Sequence, residues 1–188
     1  MLEVESCITP EIIEARGYWT AETVADLEGE DGISPNQHYA PALVLPIYNI
    51  AGEYQYSRVR PDKKPPGLGK YIQPVDTPNV LDVPRTVQPK VLNPDYGLVV
   101  VEGERKGDAL ASLGIPTIVI FGVWNWSCKV SKDSPYEEQL LLRDFESVPL
   151  HGRSVAIVFD ADLQTNQSIQ LAASRLAQRL KERGARLW

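Results

Sequence analysis

Two stretches, Leu98-Val-Val-Val101-Glu102-Gly103-Glu104 and Ser154-Val-Ala-Ile-Val-Phe159-Asp160-Ala161-Asp162, set the expected architecture of this 188-residue chain. Each is a short apolar run rich in β-branched residues that stops abruptly in acid. That is the pattern of a strand buried on both faces whose loop opens at its carboxyl end. Between them Arg105 to Leu113 reads as a helix closed by Gly114, and Thr117-Ile-Val-Ile-Phe121 as a further strand. Apolar strands alternating with helical segments signal βαβ units and a parallel sheet. Downstream, Asn166 to Arg183 reads as a long helix. Ile169, Ala172, Ala173, Leu176 and Leu180 keep helical spacing, Lys181 and Arg183 sit in the last turn, and Gly184 is the stop. Ala185 to Trp188 then reads as a last strand, and a helix is expected around Glu137 to Asp144.

Working back toward the N-terminus, the regularity fades. Residues 9–16 predict a short helix with Thr9 as N-cap, Pro10 at the first helical position and Gly17 as terminator, and Thr20 to Leu27 predicts a second. Leu43 to Tyr48 and Tyr54 to Val59 read as a hairpin across Asn49-Ile-Ala-Gly52-Glu53. From Pro61 to Pro94 the chain holds more than half of its 15 prolines. Each proline removes a backbone donor, so this stretch is expected to be an irregular arm. The expected division is residues 1–96, an N-terminal subdomain with short helices, a hairpin and the arm, and residues 97–188, the sheet domain.

Composition narrows the function. The net charge is −6, but residues 55–91 carry seven basic and three acidic side chains, leaving −10 for the remainder. Uneven charge of this kind suits a polyanionic partner better than the total implies. The N-terminus is acidic where a secretory signal would be basic, and there is no long apolar run, so a cytoplasmic protein without a membrane segment is expected. Cys7 and Cys128 have no neighbouring Cys or His at ligand spacing, which argues against a zinc site and leaves them as packing residues.

The acids after the two strands are the candidate chemistry. Loops at the carboxyl ends of parallel strands converge on one crevice. Carboxylates gathered there repel one another and resist desolvation unless a cation joins them. Mg²⁺, or Mn²⁺ in its place, is the natural cofactor, because a hard ion takes one or two carboxylates and completes its shell with waters and phosphates. The competing explanation is that the acids merely begin helices, where the dipole favours negative charge.

The run from Val100 through Glu102-Gly103 to Gly114, with Val158-Phe-Asp160-Ala-Asp162 after it, resembles the Glu-Gly and Asp-x-Asp motifs of Toprim domains. It looks most like Toprim-like domains in primase and helicase proteins of plasmids and phages. Leu45 to Gly52 with Arg58-Val-Arg60-Pro-Asp62 and Lys70-Tyr71 is similar to the basic subdomain that precedes Toprim in bacterial DnaG-type primases. The resemblance spans roughly residues 40–188. It implies an α/β fold with a Toprim-type, mainly parallel sheet flanked by helices, preceded by a smaller mixed α+β basic subdomain.

The same resemblance implies catalysis by Glu102, Asp160 and Asp162, with Asp160 and Asp162, helped by Glu102, as metal ligands. Glu104, Lys106 and Asp108 would stand around them, and Arg58, Arg60, Lys63, Lys64 and Lys70 would meet nucleic acid or nucleotide. Cellular primases usually carry an aspartate four residues after the glutamate, where this chain has Lys106, with Asp108 two residues later. The implied function is metal-dependent nucleotidyl or phosphoryl transfer in a primase-like replication protein of a mobile element. Its partners would be a single-stranded DNA template, nucleoside triphosphates and a replicative helicase. A Toprim nuclease using the same carboxylates remains an alternative, as does a non-catalytic nucleic-acid-binding or helicase-recruiting module. The chain has neither a zinc-binding template reader nor a helicase motor, so a fragment of a longer polypeptide is expected.

Other features carry less. Gly67-Leu-Gly-Lys70 lacks the spacing of a phosphate-binding loop, and Tyr71 stands where that loop needs Ser or Thr. Arg175, Arg179 and Arg183 read as a solvated helix face. Of Trp124 and Trp126, at least one should pack in the core, the other being free to stack on a base.

Overall fold

The computed structural model describes residues 6–128, 139–160 and 165–188. Helix α1 (Pro10–Arg16) follows Thr9 and ends at Gly17, whose φ of 76° is left-handed and favours glycine. The segment after it is not a helix. Trp19–Ala21 is strand β1, and only Val24–Leu27 forms a 3₁₀ turn. β1 pairs antiparallel with β2 (Ala42–Tyr48), which pairs antiparallel with β3 (Tyr54–Pro61). Trp19 and Thr20 suit an extended backbone paired to an open edge, and tertiary pairing overrides a weak helical pattern.

The arm is irregular, as its prolines require, except for the short helix α2 (Gln88–Val91). It is not loose. Leu81 and Val83 are fully buried, and Asp82 makes an antiparallel bridge to Val119. Beyond it lies β4 (Leu98–Glu102), then α3 (Glu104–Ser112) and β5 (Thr117–Ile120). Two short strands, β6 (Ser127–Cys128) and β7 (Leu140–Leu141), pair antiparallel. β8 (Ser154–Val158), α4 (Gln167–Glu182) and β9 (Arg186–Leu187) complete the chain.

The second sheet runs β5-β4-β8-β9 with every pairing parallel, a four-stranded α/β sheet flanked by helices. Its core joins Leu98, Val100, Ile118, Ile120 and Val155 to Leu176 and Leu180 of α4. Burying side chains of this size contributes roughly 1.5–3 kcal/mol each, enough to hold strands with few polar atoms together. Asn166 caps α4 by accepting from the Ser168 N–H at 3.0 Å. Gly107 brings α3 close to β5: a Cβ there would lie 2.2 Å from Val119 Cγ2.

Several expectations need correction. The helix anticipated near Glu137 to Asp144 is absent from its described part, where Leu140–Leu141 is a strand and Arg143–Ser147 a 3₁₀ turn. Residues 137–138 lie outside the described residues. Cys7 and Cys128 are exposed rather than packed. Arg179 does not simply face solvent, since its Nε donates to the Gln139 carbonyl at 3.0 Å. Trp126 is fully buried and Trp124 packs partly against it, with ring centroids 6.4 Å apart. Among the described residues no helix is long and apolar enough to cross a membrane.

Candidate metal and nucleotide site

β4 and β8 are neighbours in parallel register, with Val101 opposite Val158. Glu102, the last residue of β4, therefore lies one residue past that pair and Asp160 two residues past it, at the same end. Gly103, with φ of 94°, turns the chain from β4 into α3. Both acids line one cleft of about 230 Å³, together with Arg58, Lys70, Tyr71, Glu104, Arg105 and Lys106. Asp162, the third expected acid, lies outside the described residues.

Two ion pairs organise the cleft. Glu104, 1% exposed, is held by Arg58 of β3, itself 8% exposed. The Arg58 guanidinium also stacks over Phe121 at 4.6 Å and over Tyr71 at 5.2 Å. A cation clamped between rings and paired with a buried carboxylate is fixed in place, because leaving either charge alone in the interior is costly. At the open side, the Lys106 ammonium of α3 is bonded to Asp160, with both side chains about half exposed. Burial, with Glu104 close by, pushes the Tyr71 phenol above its usual range, so it remains a hydrogen-bond donor at neutral pH. The lining carries four basic side chains and three acidic ones.

The arm residues split into two sets. Lys63, Lys64 and Lys70 are exposed and Arg60 is half-buried, 5.8 Å from the Tyr71 ring. Arg58 is not an arm residue reaching for solvent: it is a wall of the cleft. Asp108 departs further from expectation. It lies in a buried cluster apart from the cleft, where its carboxylate accepts from Arg16 at 2.6 Å and from the Tyr18 phenol. Arg16 also donates to Asp82 at 2.8 Å and to the Pro46 carbonyl at 3.1 Å. Burial raises the Asp108 carboxyl above the ordinary range, with Arg16 pulling it back only in part. This cluster ties α1, β2, the arm and α3 together.

Sequence reading also missed Tyr71 and Phe121 as the rings around Arg58, and Arg105 as a lining residue. Phe121 follows β5 as Glu102 ends β4, at the same end of the sheet, and that shared position was the available signal. Among the described residues no group of three or more His, Cys, Asp and Glu is gathered as a metal cage. The carboxylates of Glu102 and Asp160 are nevertheless oxygen donors of the kind Mg²⁺ uses with waters and phosphates. The ammonium on Asp160 shows that a cation is already accommodated there.

Solved structures share this fold. The Aquifex aeolicus primase comprising zinc-binding and RNA polymerase domains matches with TM-score 0.64 and 15% identity, over 97% of this chain and 46% of that one. A DnaG primase catalytic domain bound to single-stranded DNA matches with TM-score 0.59 and 16% identity, over 95% and 57%. A DNA primase domain from Pseudomonas aeruginosa matches with TM-score 0.56 and 21% identity, over 93% and 56%. This chain thus spans about half the length of these primase structures. No curated protein matches it. Residues 89–188, from α2 through the whole parallel sheet, match the family described as a domain of unknown function, DUF3854, and the chain belongs to that family.

Proposed function

We propose that this chain is a Toprim-type catalytic core that transfers nucleotidyl groups on nucleic acid, in a primase-like replication protein of a plasmid or phage. The observation that carries the reading is the placement of Glu102 and Asp160 at the same end of adjacent parallel strands, in one cleft with Arg58, Lys70 and Lys106. The primase likeness of the fold supports the same assignment.

Asp160 and Glu102, with Asp162 two residues on in the sequence, would hold Mg²⁺ or Mn²⁺. When bound, the ion would supply charge neutralisation at the reacting phosphate. The chain's own groups do the rest. Glu102 accepts the proton of the attacking 3′-hydroxyl. Lys70 and Lys106 neutralise phosphate oxygens, and Arg58, immobilised by Glu104 and two rings, fixes the wall against which the nucleotide rests. Catalysis of this kind is positioning and electrostatics, with little covalent chemistry for the protein to perform. Lys63, Lys64 and Lys70 on the arm would track a single-stranded DNA template through its phosphates.

The test is incubation with single-stranded DNA, labelled nucleoside triphosphates and Mg²⁺ or Mn²⁺, read for both primer synthesis and strand cleavage. Template-dependent products that vanish in Glu102→Gln support the proposal. Cleavage without synthesis would assign a nuclease. Neither product, with template binding intact, would assign a non-catalytic module.

A further inference from the structure

Lys106 stands four residues beyond Glu102 in the first turns of α3, yet its ammonium is bonded to Asp160, which belongs to the loop after β8. The contact joins α3, which follows β4, to the loop after β8, at the cleft that both residues line. Both partners are about half exposed, so the pair adds little to the stability of the fold. Its consequence falls on the site instead. Arg58 is bonded to Glu104 and Arg105 to Ser6, so among the described residues Lys106 is the cation found on Asp160.

We infer that Lys106 is the resident counter-ion of Asp160, so that divalent-metal binding at this site is an exchange in which the ion displaces the ammonium. The inference rests on the metal-site reading above and deepens it. A lysine ammonium is a compact, mobile point charge on a flexible stem, suited to leave one oxyanion for another. In the free protein it satisfies Asp160 and lowers the site's affinity for a bare ion. Once displaced, the ammonium remains at the cleft wall, where phosphate oxygens would be its next partner. Metal occupancy would thereby become tied to the arrival of a phosphate ligand.

The experiment is calorimetric titration of MnCl₂ into the metal-free full chain, without nucleotide, for wild type, Lys106→Met, Lys106→Arg and Asp160→Asn. Removing one competing exposed ion pair and one repelling charge should tighten Mn²⁺ binding by about 2- to 10-fold in Lys106→Met. Lys106→Arg should stay within about twofold of wild type, because it keeps the charge. Asp160→Asn should bind weakly or not at all, and adding Lys106→Met to it should restore nothing. If Asp160→Asn loses binding while Lys106→Met matches or falls below wild type, the exchange is overturned and the metal site stands. If Asp160→Asn binds as wild type does, or wild type binds no Mn²⁺, the metal-site reading falls and the exchange falls with it.

Discussion

Replacing Arg16 with Met should destabilise the protein far more than breaking the half-exposed Lys106–Asp160 pair of the cleft. The guanidinium is 2% exposed and bonded to two fully buried carboxylates, Asp82 at 2.8 Å and Asp108 at 2.6 Å. Methionine fills similar space but strands both acids. The Tyr48 N–H remains on Asp82 and the Tyr18 phenol on Asp108, and neither supplies a counter-charge. Breaking a buried pair from one side costs about 3–5 kcal/mol. For a chain of this size that corresponds to a fall in Tm of roughly 6–20 °C. The pH dependence follows from Asp108. Its folded pKa lies above the unfolded value, so its contribution to stability is present at low pH and is lost as pH rises through the folded pKa. Without Arg16 the folded pKa rises further and that loss grows. The gap between wild type and Arg16→Met should therefore be widest at neutral pH and narrow as pH falls toward the carboxylate range. Urea denaturation across that range, with Arg16→Met/Asp108→Asn alongside, measures it. The double variant should recover about 0.5–3 kcal/mol of the loss through coupling of the two sites. A loss under about 1 kcal/mol, a gap insensitive to acid, or no recovery would refute the reasoning.

Gly107→Ala should cost about 1–3 kcal/mol by forcing α3 off β5, since its Cβ would meet Val119 Cγ2 at 2.2 Å, and Val119→Ala in the same chain should return part of it in chemical denaturation. Asp160→Asn should melt within about 0.5 kcal/mol of wild type in EDTA, because its exposed pair contributes little, yet lose the added stability that millimolar Mn²⁺ confers. A loss in EDTA with an undiminished metal response would make Asp160 scaffolding. Joint alanine replacement of exposed Lys63, Lys64 and Lys70 should weaken single-stranded DNA binding and flatten its salt dependence, measured by fluorescence titration, by about 0.7 in slope for each phosphate that is no longer neutralised. An unchanged slope would leave the arm a solvated loop.

The parallel sheet was legible because Leu98 to Val101, Thr117 to Ile120 and Ser154 to Val158 are short apolar runs rich in β-branched residues that alternate with helical segments. Placing Glu102 and Asp160 at one end followed from the rule that such loops converge. The helix expected at Thr20 to Leu27 failed because β1 gains its partner from β2, more than 20 residues away, which no local pattern reports. Asp108 was misplaced for a related reason. On the sequence it stands near Glu102, but it lies one helical turn beyond Glu104 on α3 and bonds to Arg16, 92 residues away, outside the cleft lining. Arg58 looked like one basic residue of a basic arm, and its role as a buried wall depends on Glu104, Tyr71 and Phe121 arriving from separate segments.

The claim that the carboxylates of β4 and β8 form one divalent-metal site is tested most directly by a crystal of the full chain soaked in MnCl₂ and measured for anomalous scattering from manganese. The account predicts one strong peak at the carboxyl ends of these strands, in contact with the oxygens of Glu102 and Asp160, with Lys106 moved away from Asp160. A fully soaked crystal with no peak in the cleft, or with manganese bound only elsewhere, would contradict it.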